Sequence, residues 1–209
     1  LKDVQMEYLQ EKFAKKGLMI LYTAPWPGQG FYTKFPVNSV SDFKGKKLRI
    51  YSTATQQMGS MLGFNATILP FAEIPQAFST GLIEALFTSP QTGIDIQAWD
   101  NTKHFTYAGA IFSKNAVVVT KKAFNALSKG DQSNMLAAAK KAELRGWEMS
   151  AETTKKQIGI LKKNGMSSKN APDEVISKMK SIGLEMMKNW RSKASPEANA
   201  VLDRYLSMR

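Results

Sequence analysis

Residues 45–90, GKKLRIYSTATQQMGSMLGFNATILPFAEIPQAFSTGLIEALFTSP, decide the fold. Within them, 46–51 (KKLRIY), 65–69 (NATIL) and 82–88 (LIEALFT) are short runs of strand-forming residues bounded by turn formers. Between them, 53–62 (TATQQMGSML) and 72–80 (AEIPQAFST) have the make-up of helices. Strand, helix, strand, helix, strand implies βα units and a mostly parallel sheet, which is an α/β class.

Outward from that stretch, 18–23 (LMILYT) and 114–120 (KNAVVVT) add strands, and 91–99 (QTGIDIQAW) adds a short helix. Residues 1–17 read as an amphipathic helix that begins in the middle of something, with none of the order of a signal peptide. From 121 onward the pattern is helical. Leu136, Ala139, Trp147, Ala151, Thr154, Ile158 and Leu161 recur at mostly helical steps and predict one helix over 131–163, ended by Asn164-Gly165. Further helices are expected at 173–191 and 195–207, the latter opened by Ser195 as N-cap and Pro196 in the first turn.

The chain has 209 residues, 43% of them apolar, enough for a substantial core without staples. It has no cysteine and one histidine, His104, which excludes disulfides, thiolate zinc sites, cysteine nucleophiles and most histidine-based chemistry. The longest apolar runs fall far short of the roughly 20 residues that cross a bilayer. Formal net charge is +12. Residues 1–120 carry 11 Lys+Arg against 8 Asp+Glu, a balance of +3, and 121–209 carry 18 against 9, a balance of +9. A basic nucleic-acid-binding protein is one reading of that excess. A solvated helical face is the other, and the scattered lysine pairs among acids, with no nucleic-acid motif, favour it.

Catalytic motifs are absent. No GxSxG, GxxxxGK[ST] or HExxH occurs, and Gly28-Gln29-Gly30 is only a fragment of a dinucleotide fingerprint. Asp95 and Asp100 have no histidine at metal spacing, so no metal and no cofactor is expected. What remains are binding-type residues at strand ends. Arg49 interrupts an otherwise apolar strand. A buried guanidinium requires a partner, and a planar carboxylate suits it best, although a protein acid or solvent would also serve. Phe87, Thr88 and Ser89 close a strand at the end where open α/β sheets bind ligands, and Ser89 is equally a helix N-cap. Trp26 and Gln29 lie in a rigid loop, WPGQG, that either walls a pocket or simply turns the chain.

In order and spacing, the KGKKLR segment, the block from Gly63 to Glu84 with its P-F-x-E core, and the turn Thr88-Ser89-Pro90 resemble the solute-binding proteins of TRAP (tripartite ATP-independent periplasmic) transporters, DctP type. The likeness runs from about residue 18 to the C-terminus. It implies a two-lobe periplasmic-binding-protein-like fold in which the lobes close over an organic anion and hand it to a membrane permease, with a long helix crossing both lobes. It also implies a periplasmic, non-catalytic protein. On this template residues 1–45 are the remainder of the N-terminal lobe (helix, strand and cleft loop), 46–120 mainly the C-terminal ligand-binding lobe with crossovers, and 121–209 the long spanning helix and C-terminal helices packing on both lobes. Family members carry a longer N-terminal part, so an exposed sheet edge and association through it are expected here.

The family's selectivity arginine falls on Arg49 and its lining phenylalanine on Phe71. Ser89 replaces a frequent asparagine, and a second arginine of some members is absent, with Gln29 in that neighbourhood. One cation beside Trp26, Phe71, Phe87 and Trp99 suits an aromatic or branched 2-oxo or 2-hydroxy monocarboxylate, with a C4-dicarboxylate as the alternative. The expected contacts are Arg49 as clamp, Ser89 and Gln29 as hydrogen-bonding groups, and Trp26, Phe71 and Phe87 as wall. Thr88, Ser52 and Asn115 complete the set.

Overall fold

The strand β3 (Lys47–Ile50), helix α2 (Thr53–Met61), strand β4 (Asn65–Ile68), helix α3 (Ile74–Ser79) and strand β5 (Ala85–Thr88) follow one another as expected. β3 pairs in parallel with both β4 and β5. The computed structural model describes residues 2–208. Their other elements are α1 (Lys2–Ala14), β1 (Leu18–Pro25), β2 (Gln29–Thr33), α4 (Pro90–Asp95), β6 (His104–Ala110), β7 (Lys114–Thr120), α5 (Lys121–Asn125), α6 (Lys129–Lys163), β8 (Ser167–Asn170), α7 (Asp173–Arg191) and α8 (Pro196–Leu206).

The chain divides into two units. The first comprises residues 1–25, 114–149 and 186–209, and the second comprises 26–113 and 150–185. The two are interleaved along the chain. The interleaving has two causes. β2 inserts between β5 and β6, drawing 26–45 into the second unit, and β7 pairs with β1, drawing 114–120 into the first. At about 1.5 Å per residue the 35-residue α6 is about 50 Å long, and it supplies residues to both units, as does α7.

In the second unit the strand order is β4-β3-β5-β2-β6-β8. β2 runs antiparallel to both its neighbours, while β6 and β8 are parallel, so three of the five pairings are parallel. The sheet is therefore mixed. Alternation along β2 and β5 builds a core on each face. Phe31 and Phe87 pair across the strands and, with Phe43 and Phe64, form an aromatic cluster on one face. Tyr32 and Leu86 face the other side and join Phe78, Ile83, Phe105 and Leu161. In the first unit β1 and β7 form an antiparallel ribbon with an irregularity between Ile20 and Tyr22, and α1 packs on β1 and α8.

Candidate functional site

Arg49 lies on β3 between Leu48 and Ile50, in register with Thr67 on β4 and Leu86 on β5. Its neighbours along the strand, Leu48 and Ile50, point to the opposite face, and the guanidinium lies on the same side as Lys47. It is 4% exposed, and its Nε and Nη2 both donate to the Leu69 carbonyl, at 3.0 and 2.9 Å. Among the described residues no carboxylate lies within ion-pairing distance of it. A guanidinium has five N–H donors, so roughly three remain for an external acceptor. Burial pulls the group down from its ordinary value, partly offset by Tyr51, but an arginine stays cationic throughout. The arrangement is a buried positive charge with one edge tied to the Leu69 carbonyl and, among the described residues, no acidic partner.

Two residues along, Tyr51 shares the face of Arg49. The guanidinium carbon stands over its ring, 5.9 Å from the centroid. The Tyr51 hydroxyl donates to Gln29 Oε1 at 2.9 Å, and Gln29 Nε2 donates to the Ile111 carbonyl at 3.0 Å, with Ser113 Oγ at 3.4 Å. Burial pushes the Tyr51 phenol up, against the pull of hydrogen bonding with Gln29 and Ser113 and of the Arg49 charge. Ile111 holds φ at +54°, a left-handed conformation that strains a β-branched residue. Gly30 brings this corner close to β6, because a Cβ there would meet the Thr106 carbonyl at 2.5 Å.

Of the sequence-predicted residues, the fold thus brings Arg49 and Gln29 together through Tyr51. Gln29 is 2% exposed, with one end of its amide engaged by Tyr51 and the other by the Ile111 carbonyl. Phe71 follows Leu69, whose carbonyl anchors Arg49, by two residues in sequence and is 52% exposed. Phe87 is a correction. It is fully buried with its ring 4.8 Å from Phe31, because alternation on β5 turns it into the core, and it has no surface to offer. Ser89 and Ser52 both act as helix N-caps, accepting from Thr92 N and Thr55 N, each at 3.2 Å. Thr88 is buried opposite Gly30. Trp26 is half-buried, and its backbone N–H donates to Ser113 O at 2.8 Å. Asn115 is exposed on β7, in the first unit, paired with Ala24.

Tyr51 and Ile111 went unnoticed in the sequence. Spacing of two from Arg49 on a strand was the available signal for Tyr51. Nothing local marks Ile111. Among the described residues no three Asp, Glu, His or Cys side chains converge as metal ligands would.

Residues 1–193 match the model of bacterial extracellular solute-binding protein, family 7 (DctP). The chain is similar in structure to DctP7 of Bordetella pertussis, an extracytoplasmic solute receptor binding pyroglutamic acid. That likeness has 37% identity and a TM-score of 0.94, and covers 98% of this chain and 68% of that one. DctP6 of the same organism, also a receptor binding pyroglutamic acid, is 35% identical with a TM-score of 0.94, over 99% of this chain and 68% of that one. A solute-binding protein of Chromohalobacter salexigens is 25% identical over 160 residues, 73% of this chain. Those residues are 47% of that relative, so the chain matches about half its length. With nearly the whole chain matched by one family model and its fold shared with two such receptors, the chain belongs to bacterial extracellular solute-binding protein family 7, the DctP family.

Proposed function

We propose that this chain is the ligand-binding part of a TRAP-transporter receptor that captures a small organic monocarboxylate and passes it, on the periplasmic side, to a membrane permease. The observation that carries the reading is Arg49, a buried cation with no acidic partner among the described residues and with donors to spare. A carboxylate satisfies both its charge and its planar fork. Phe71, exposed and two residues after the Leu69 anchor in sequence, supplies the apolar wall for the rest of the ligand.

Similarity to two receptors whose ligand is pyroglutamic acid shifts the expected body away from an aryl or branched 2-oxo acid. A compact cyclic monocarboxylate of the pyroglutamate kind is the better fit. No turnover is part of this reading, in keeping with a family of solute-binding proteins.

The test is a thermal-shift and calorimetric series with L-pyroglutamate, branched and aromatic monocarboxylates, succinate and malate, each against wild type and Arg49→Ala. A ligand that binds only the folded state raises Tm by mass action. L-Pyroglutamate is expected to raise Tm in wild type and not in the variant. Tight binding of succinate or malate, with none of any monocarboxylate, would replace the reading by the dicarboxylate one. No response to any organic anion would remove it.

A further inference from the structure

We infer that Tyr51 is a positioning residue of the anion clamp, acting on the bound carboxylate through Arg49. This rests on the reading of Arg49 given above. The Leu69 carbonyl fixes one edge of the guanidinium only, since Nε and Nη2 converge on a single oxygen. The Tyr51 ring, 5.9 Å from the guanidinium carbon, limits the remaining freedom of its plane.

Tyr51 cannot itself donate to a ligand. The Ile111 carbonyl accepts from the Gln29 amide, which requires Nε2 on that side and Oε1 toward the phenol. Oε1 only accepts, so the single phenolic hydrogen is committed to it. Donation therefore runs one way, from Tyr51 to Gln29 to Ile111, and ends on backbone. That end is rigid: the Ile111 carbonyl also accepts from Ser113 N at 3.1 Å and belongs to a residue held in the left-handed region. The plane of the guanidinium is thus referred to two backbone points, Leu69 on the turn after β4 and Ile111 on the turn after β6. A carboxylate approaching in the plane of the fork finds the bidentate geometry already set, which lowers the ordering cost of binding.

The experiment is titration calorimetry of the 209-residue chain with L-pyroglutamate, as a cycle of Tyr51→Leu, Arg49→Lys and the double variant, with Tyr51→Phe alongside. Far-UV circular dichroism and Tm are read for each. Tyr51→Leu is expected to weaken binding about tenfold in the wild-type background and less than about twofold in Arg49→Lys, where no planar fork remains to be oriented. Tyr51→Phe, which keeps the ring and loses its tether, is expected to fall about threefold and so to rescue most of the loss. Should Tyr51→Leu fail to fold, Tyr51→Phe in the two Arg49 backgrounds gives the same discrimination. Equal losses from Tyr51→Leu in both backgrounds, or no loss in wild type, would overturn the positioning role while leaving the Arg49 clamp standing. An unchanged affinity in Arg49→Lys would instead bring down the clamp, and the positioning role with it.

Discussion

The Tyr32 hydroxyl occupies the space in which a side chain on Gly93 would begin. Tyr32 is fully buried on β2, and its hydroxyl reaches the Ser89 and Pro90 carbonyls at 3.2 and 3.4 Å, inside the first turn of α4. The absence of a Cβ at 93 lets that short helix sit on the sheet. Gly93→Ala is expected to cost about 3 kcal/mol by overpacking. Tyr32→Phe alone should cost about 1 kcal/mol for the lost hydrogen bond. In the double variant the hydroxyl overlap is gone while the ring carbons Cζ and Cε1 still crowd the new methyl group, so the two losses should fall only modestly short of additive in urea melts. Strict additivity would show that the contact is relieved elsewhere.

Phe71 and Phe87 differ sharply in exposure, and their substitutions should separate cleanly. Phe71 is 52% exposed, so Phe71→Ala should change stability by no more than about 0.5 kcal/mol while weakening the binding of L-pyroglutamate. Phe87 is fully buried against Phe31, so Phe87→Ala should cost about 3–5 kcal/mol. Any ligand effect there is secondary to unfolding. Denaturant midpoints with and without ligand make the comparison, and an unaltered affinity in Phe71→Ala would remove Phe71 from the site.

The β3-to-β5 stretch was legible because its apolar runs alternate with helical patterns at regular spacing, and the long helix because its apolar face persists from Leu136 to Leu161. Three strands were not. β2 (QGFYT) opens on glutamine and glycine, β6 (HFTYAGA) is rich in small and polar residues, and β8 (SSKN) is polar throughout. Strands of this kind are fixed by neighbours distant in sequence, since β2 is buried at every position by β5 and β6. The same limit applies to the site. Arg49 stood out as a charge in an apolar strand, whereas the engagement of Gln29 by Ile111 depends on a pairing about 80 residues apart in sequence that no local pattern announces.

Glu143 gives the first unit an acid-sensitive element. Its carboxylate accepts from Thr23 N at 3.0 Å and Thr23 Oγ1 at 2.8 Å, and pairs with Lys2 Nζ at 2.9 Å, tying α6 to β1 and α1. Burial alone would raise its proton affinity, but these donors and the lysine charge outweigh it and hold the carboxyl below the usual range. A carboxyl depressed in the folded state contributes stability above its unfolded value, near 4.3, and loses it as pH falls through the folded value. Stability should therefore drop below about pH 4.3, and less steeply in Glu143→Gln, which keeps an acceptor for Thr23 but has no proton to gain. At neutral pH that variant should cost about 1 kcal/mol. Identical acid limbs in urea titrations of the two proteins would contradict the assignment.

The same carboxylate bears on association through a sheet edge. Among the described residues β1 and β7 pair only with each other, which leaves each one outer edge. On β1 that edge is occupied. Gln10 donates to the Ile20 carbonyl at 2.8 Å and accepts from Ile20 N at 3.3 Å, and Glu143 takes the N–H of Thr23. Among the described residues no such cover is found on β7. Val118 lies opposite Ile20, and because the backbone groups of Ile20 turn away from the ribbon, those of Val118 do as well. Val118 is also 41% exposed, so β7 is the edge able to template a further strand. Self-association is thus expected to run through β7, seen in light scattering as a mass that rises with concentration. Val118→Pro removes one outward donor without touching a rung of the ribbon, and should return the protein to monomer with its Tm little changed. A concentration-independent monomer in the wild type, or association that survives Val118→Pro, would exclude β7 as the contact.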